Sequence, residues 1–543
     1  MASHSSEETV ADATLAKDET TLENGSVNVS EKIEQEGEDQ GQIWRIFYVQ
    51  LSRSRLVLIF VGLWLAVFLA ALDQTIVSTA LPRIASDFSQ AELIGWVGTS
   101  YMLTANALQA LYGKFSDIFG RKIVFLVCVI TFLVGSIVAG ASQSMIMLIV
   151  FRAVQGIGGG GILSLAMIII ADVVPMRDRG KYQGLIGASF GVASVAGPLI
   201  GGAFTDHASW RWCFYVNLPI GAVTIAVIIL FLHLRTVPGD TRSKLKRVDY
   251  VGALLLILTV LCILLAVQWG GNQYPWRSVP VIVCFVLGGL FLIGLGVWET
   301  KAATEPVIPY HLFRLRTPMA IFITQFFFGM AFLTCVFYLP LYFQVVKGHS
   351  ATTSGLDLLP FLLAVVVFSI AAGIATSIVD TYRPFIWVGS LLVVVCGVLL
   401  RMLDANSNQG KQIGFLLIGG VGFGLCLQIL TIAAQACVEY KDVAVMTALS
   451  NFFQSSGGVF GLAIFDSIFY NALGSALPPN LPFNPKSDFS AVNNLSESDR
   501  SLVINAYVYA LQQGFTFLIP LGAAAFISSL AIQHYSLHRN QQQ

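Results

Sequence analysis

The chain has 543 residues, 55% of them hydrophobic and only 11% charged, with 31 Lys and Arg balanced by 31 Asp and Glu. A soluble domain carries about 25% charged residues, so this chain cannot cover a water-facing surface and reads as an all-α polytopic membrane protein. Its zero net charge gives no electrostatic footing for a nucleic-acid partner.

Residues 1–55 are polar, rich in Glu and Asp and free of aromatics before Trp44, which predicts a disordered cytosolic tail. The first apolar run begins near Leu56 and is long enough to span, so no signal peptide is expected. Apolar runs of spanning length predict helices at 56–80, 94–112, 123–142, 145–171, 183–204, 213–233, 250–269, 280–298, 318–343, 353–378, 385–403, 412–435, 443–469 and 515–534, fourteen in all. Lys and Arg are roughly threefold more frequent in the connections on the side of the N-terminal tail, which places both termini in the cytosol. The polar segment 470–514 then lies outside, where the sequon at Asn494 is open to glycosylation, while those at Asn24 and Asn28 stay cytosolic. The eight cysteines stand singly in or beside apolar runs, with no CxxC pair, and read as small packing residues.

Two stretches repeat at a spacing of about 260 residues, as in paired-repeat transporters. The glycines of 156–161 return at Gly419, Gly420, Gly422 and Gly424, and the loop Gly113…Asp117…Arg121 returns as Gly373…Asp380…Arg383. The domains expected are the tail 1–55, a six-helix bundle 56–233, a linker 234–312 with two extra helices, a second six-helix bundle 313–535 that includes the outside loop 470–514, and a cytosolic C-terminus 536–543.

Arg152 puts a permanent cation inside the apolar run 145–171, at an insertion cost of roughly 2.5–3.5 kcal/mol. Asp73 lies in helix 56–80. Counted from the outer helix ends, both residues sit about 10 Å deep, so they are expected to pair directly or through Gln155. A structural ion pair pinning two helices and a proton-exchanging Asp73, its protonation biased by Arg152, are both open. The second is favoured, because packing alone would be cheaper with one fewer charge. The short loop Gly113, Asp117, Gly120, Arg121, Lys122 combines turn glycines with an acid and bases that can latch and release. Helix 183–204 carries Gly187, Gly191, Gly197, Gly201 and Gly202 for close packing, with Pro198 as a kink and bending point. Lining residues for a cavity are expected at Tyr101, Asn106, Gln109 and Gln155 in the first half. In the second half they are expected at Gln325, Phe328, Tyr338, Gln428, Asn451 and Asp466.

These stretches resemble the major facilitator superfamily, in its fourteen-spanner drug:proton antiporter branch. Leu72–Pro82 is similar to that branch's first-helix signature, Gly113–Lys122 to the superfamily's loop signature, Arg152–Gly161 to its fourth-helix motif and Gly191–Gly202 to the antiporter motif. Trp210–Pro219 and Tyr338–Gln344 resemble fungal members. The resemblance implies two six-helix bundles with two extra central helices, proton coupling by Asp73 and Arg152, and gating by the Gly113–Lys122 loop. Asp357 and Asp466 depart from that pattern and leave open further protonation sites or a cationic cargo.

No G-x₄-G-K-[ST] occurs, so the expected drive is a proton gradient rather than ATP, with no cofactor and no metal, and the protein is expected to be no enzyme. The function expected is proton-coupled export of amphipathic small molecules, a fungal toxin, secondary metabolite or drug, by a plasma-membrane monomer. Transport of basic amino acids in a vacuolar or vesicle membrane, and a non-transporting membrane sensor, are the alternatives.

Overall fold

The structure is a computed structural model that describes residues 53–90, 93–234, 239–271, 273–303, 305–477 and 497–537. The expected tail 1–55, apart from its last three residues, and the Asn494 sequon lie outside the described residues. One compact unit, Leu58–Leu537, holds everything that follows; outside it only the helical residues 53–57 are described.

Thirteen helices among the described residues are long and apolar enough to cross a membrane. In chain order the first bundle comprises α1 (Arg53–Phe88), α2 (Ile94–Gln109), α3 (Arg121–Gly140), α4 (Met145–Val173), α5 (Met176–His207) and α6 (Asn217–Phe231). The two extra helices are α7 (Tyr250–Trp269) and α8 (Val279–Lys301). The second bundle holds α9 (Arg316–Leu341), α10 (Leu359–Val379), α11 (Arg383–Arg401), α12 (Gln409–Leu427, running on as Ile429–Ala436) and α13 (Val443–Ala476). It closes with α14 (Glu497–Thr516, running on as Leu518–Ser529). The helix expected over 94–112 is present but is interrupted at Ala110 and resumes as Leu111–Phe119, so neither piece reaches spanning length.

Several boundaries differ from expectation, among them the start of α5 at Met176 rather than 183. α1 continues to Phe88, past the expected end at 80. The expected outside loop 470–514 is instead helix up to Ala476 and helix again from Glu497. The reason is periodicity: Val503, Ala506, Tyr507, Ala510, Leu511 and Phe515 recur at helical spacing and are buried, while intervening polar residues hold the mean hydropathy down.

The internal duplication is visible in the packing. In α4, Gly156 and Gly160 abut the backbone of α2, while Gly158 abuts α3, where a Cβ would lie 2.5 Å from Cys128 O. In α12, Gly420 and Gly424 abut α10, and Gly422 abuts α11, with 2.8 Å to Leu392 Cβ. Alternate glycines thus open opposite sides of each helix to two neighbours, and only an absent side chain permits this approach. The cysteines fill the same seams: Cys128 meets Gly161, Cys396 meets Gly419 and Cys426 meets Gly389, and all eight are free thiols. Of the extra helices, α7 packs on α2 and α13, while α8 leans on α7 with few buried residues.

Candidate functional site

Asp73 on α1 and Arg152 on α4 are 0% and 2% exposed, the depth at which an unpaired charge would not be tolerated. They form an ion pair, Arg152 Nη1 donating to Asp73 Oδ2. Gln155 Nε2 donates to Asp73 Oδ1 at 3.0 Å and to Ser136 Oγ at 2.7 Å. Asn217 Nδ2, at the start of α6, donates to the same Asp73 oxygen at 3.0 Å and to Ser136 at 3.2 Å. The carboxylate therefore accepts from three side chains on two helices other than its own.

Arg152 has further partners. Its Nε donates to Val97 O at 3.1 Å, its Nη1 to Gln155 Oε1 at 3.0 Å, and its guanidinium lies 4.6 Å from the centre of the Tyr101 ring and 5.9 Å from that of Phe214. Such partners hold the cation in place whether or not Asp73 keeps its charge. The pair is the one expected from the sequence, although α1's true end at Phe88 removes the equal depth on which that expectation rests. Sequence reasoning misses Ser136 and Asn217: small polar residues are common in membrane helices, and the one available signal is an amide opening an otherwise apolar helix.

The site is joined to α5. Thr75, two residues after Asp73, donates to Ala193 O at 2.9 Å. Gly197 sits against Thr75 and Ile76, and Gly201 against Ile76 and Thr79, so a side chain at either would push α5 off α1. α5 runs unbroken through Pro198. Gly202 faces open space and makes no such contact. Further along α5 the contacts are with the second bundle: Gly191 with Val366, Gly187 with Gln428, and Gly180 with Gly373, where a Cβ on Gly180 would lie 2.7 Å from the Gly373 oxygen.

The stretch Gly113–Lys122, expected as a loop, is helical on both sides of Gly120 and lies at this same end. Gly113 packs on α13, with 2.8 Å from a Cβ to Ala444 O and to Val445 Cα. Gly120 adopts φ 96°, a conformation that favours glycine. Arg121 pairs with Asp117, donates from Nε to Asp172 Oδ2 at 3.0 Å and meets Ser116 Oγ at 3.0 Å. Lys122 caps the end of α6 through Ile229 O at 2.8 Å. Tyr440 of the second bundle donates to Asp172 at 3.2 Å, Arg177 to Ser377 O at 3.2 Å, and Gln183 to Gln435 at 3.1 Å. The two bundles are thus locked together at the Gly113 end. Outside the spans, Lys114 and Arg247 both hold Glu305, at 3.0 and 2.7 Å. The Arg247 hydrogen bond is the main cause keeping the Glu305 carboxyl below its ordinary range.

The expected lining residues separate into groups. Gln109 accepts from Ser455 of α13 at 2.5 Å, a direct contact between the bundles. Tyr101 and Gln155 belong to the Arg152 site, and Gln428 meets Gly187. Asn106 bonds back to Met102 O at 2.9 Å and Gln325 donates to Ser450 at 3.1 Å, each leaving its amide oxygen without a partner among the described residues. Asn451 is partly buried. Phe328 is 1% exposed among Phe332 and Phe423, 6.3 and 5.4 Å away between ring centres, and packs the second bundle rather than lining a gap. Tyr338 donates to Asp466, and Asp357 meets His349 at 2.5 Å.

Bundled helices paired by internal duplication, around a buried ion pair, define a secondary-transporter architecture. The family model of the Major Facilitator Superfamily matches residues 63–462, and the chain belongs to that family. It is 42% identical over 423 residues to the MFS-type efflux pump MFS1 of Arthroderma benhamiae, covering 77% of this chain and 79% of that one. It is 36% identical over 495 residues to the efflux pump aunC of Aspergillus niger, covering 89% and 87%. With the efflux pump aflT of Aspergillus parasiticus the identity is 38% over 436 residues, covering 79% and 84%. The crystal structure of the human organic anion transporter MFSD10 (TETRAN) superposes with a TM-score of 0.59 at 16% identity, covering 88% of this chain and all of that one, a likeness of fold.

Proposed function

We propose that the protein exports amphipathic small molecules from the cytosol in exchange for protons, with Asp73 as the exchanging carboxylate. Relatives named as efflux pumps, all from fungi, support export; the cargo in this reading is a secondary metabolite, toxin or drug. The observation that carries proton coupling is the burial of Asp73 against Arg152 on the helix that α5 grips.

When Asp73 takes a proton, its bond to Arg152 weakens, and the guanidinium keeps Val97 O, Gln155 and the Tyr101 face. Asn217 Oδ1 is buried without a partner among the described residues. Rotation of that amide would let it accept the new O–H, since the oxygen and nitrogen of an amide exchange places by a flip. The altered α1 contact then reaches α5, whose other stretch forms the joint between the bundles at Gly180 and Gly187. Proton entry and opening of that joint are coupled through one helix.

The Gly113 end faces the cytosol in this reading, with both termini inside and the plasma membrane as the site of action. The described conformation is closed on that side. A membrane potential contributes about 2.3 kcal/mol per charge per 100 mV, enough for roughly fiftyfold accumulation per proton. The protein acts as a monomer, without ATP, metal or bound cofactor. Deleting the gene and profiling intracellular small molecules tests export: one class of amphipathic compound should accumulate several-fold in the deletion strain. An unchanged profile with the compound class still secreted would overturn the reading.

A further inference from the structure

We infer that Asp466 of α13, capped by the Tyr338 hydroxyl, is a recognition subsite for an organic cation such as a protonated amine on the cargo. This rests on the cargo passing between the two bundles. Ser455, eleven residues earlier on α13, touches Gln109 of the first bundle at 2.5 Å. Eleven residues are close to three turns, so Asp466 lies on the same face of α13, roughly 16 Å farther from the Gly113 end.

α2 and its continuation Leu111–Phe119 run antiparallel to α13, as the contacts of Gly113 with Val445 and of Gln109 with Ser455 establish. Carried on from these two contacts, the register brings the start of α2, where Gly95 and Gly98 lie, opposite Asp466. A Cβ on Gly98 would meet nothing within 4 Å, nor would one on Gly95, so the face of α2 at this level opens on free space. The neighbouring Val97 carbonyl binds Arg152. The two acids, Asp73 in one bundle and Asp466 in the other, therefore both lie toward the end of α2 that is away from Gly113.

Their surroundings differ. Asp73 is neutralised by Arg152, whereas among the described residues no Lys, Arg or His forms an ion pair with Asp466, which is partly buried. Its partner is a phenol, Tyr338, whose ring packs 3.9 Å from that of Phe465 and 5.6 Å from that of Phe469. A carboxylate in a membrane span without a cation of its own suits a cation brought by a ligand.

The test is dye binding to the purified full-length protein, with ethidium as cation and Nile red as neutral probe. Asp466→Asn should raise the ethidium Kd at least tenfold and leave the Nile red Kd within twofold, and Asp466→Glu should retain most of the ethidium affinity. On the unmodified protein, tetraphenylphosphonium should displace ethidium, and neutral triphenylphosphine oxide should not, a comparison that needs no variant to fold. An unchanged ethidium Kd in Asp466→Asn, loss of both dyes together, displacement by both competitors, or a native protein that does not bind ethidium would each overturn the inference. Binding needs no gradient, so a failure of proton coupling at Asp73 would leave a positive result standing.

Discussion

Gly180 of α5 and Gly373 of α10 meet backbone to backbone, with 2.7 Å between a Cβ built on Gly180 and the Gly373 oxygen. No side chain fits there, so the two bundles close at this end only because both residues are glycine. Gly180→Leu should wedge the joint open. A cysteine at Gln183, fully buried against Gln435 in the native joint, should then react several-fold faster with a membrane-impermeant maleimide. Overpacking of this kind costs about 1–3 kcal/mol, enough to shift a two-state equilibrium by a factor of ten or so. Equal labelling with and without the Gly180→Leu substitution would contradict a closed joint.

Arg152→Ala removes one partner of a buried pair and leaves Asp73 uncompensated, a loss of about 3–5 kcal/mol. The double variant Arg152→Ala with Asp73→Asn removes both charges and should recover much of the apparent melting temperature in detergent. Neither should transport. If the double variant unfolds no later than the single one, the destabilisation does not come from a stranded carboxylate.

Asn217→Ala deletes the donor to Asp73 and Ser136 together. Its effect should be a drop in stability of about 1–3 kcal/mol, because two buried acceptors lose a bond. Ser136→Ala should cost less, since Asn217 and Gln155 still reach Asp73. Thermal unfolding of the two variants side by side checks the order, and a reversed order would remove Asn217 from the site.

How much of this is legible in the sequence follows from what stands out against an apolar background. Asp73 and Arg152 are visible because each is an ion in a spanning run, and the glycines of α4 and α12 because they recur. Ser136 and Asn217 are not, since nothing in a one-dimensional reading aims their polar atoms at Asp73. The first part of α14 reads as a loop because Asp499, Arg500 and Gln512 lower its mean hydropathy, although Val503, Tyr507 and Leu511 repeat at helical spacing. Composition alone points Phe328 at a cavity, and its burial among rings is beyond what spacing can tell.

Glu305 ties the segment before α9 to the helix Leu111–Phe119 through Lys114 and to the segment before α7 through Arg247. Its folded carboxyl lies below the ordinary value of 4.5, first because of the Arg247 hydrogen bond, so its contribution is fully present above pH 4.5 and disappears as pH falls through the lower folded value. Partial exposure limits the effect to about 1 kcal/mol or less. The melting temperature of the native protein should exceed that of Glu305→Gln at pH 7 and at about pH 5, with the gap closing as the pH falls below 4.5 through the lower folded value. A gap that grows on acidification would have the wrong sign.

The central claim is that Asp73 links proton entry to cargo exit. The most direct measurement is transport in proteoliposomes, comparing native protein with Asp73→Asn while an imposed pH difference is switched on and off and both proton flux and dye movement are followed. In the native protein, dye movement should rise with the gradient and carry protons the opposite way, and a folded Asp73→Asn should show neither response. Gradient-driven dye transport at the native rate by that variant would contradict the claim.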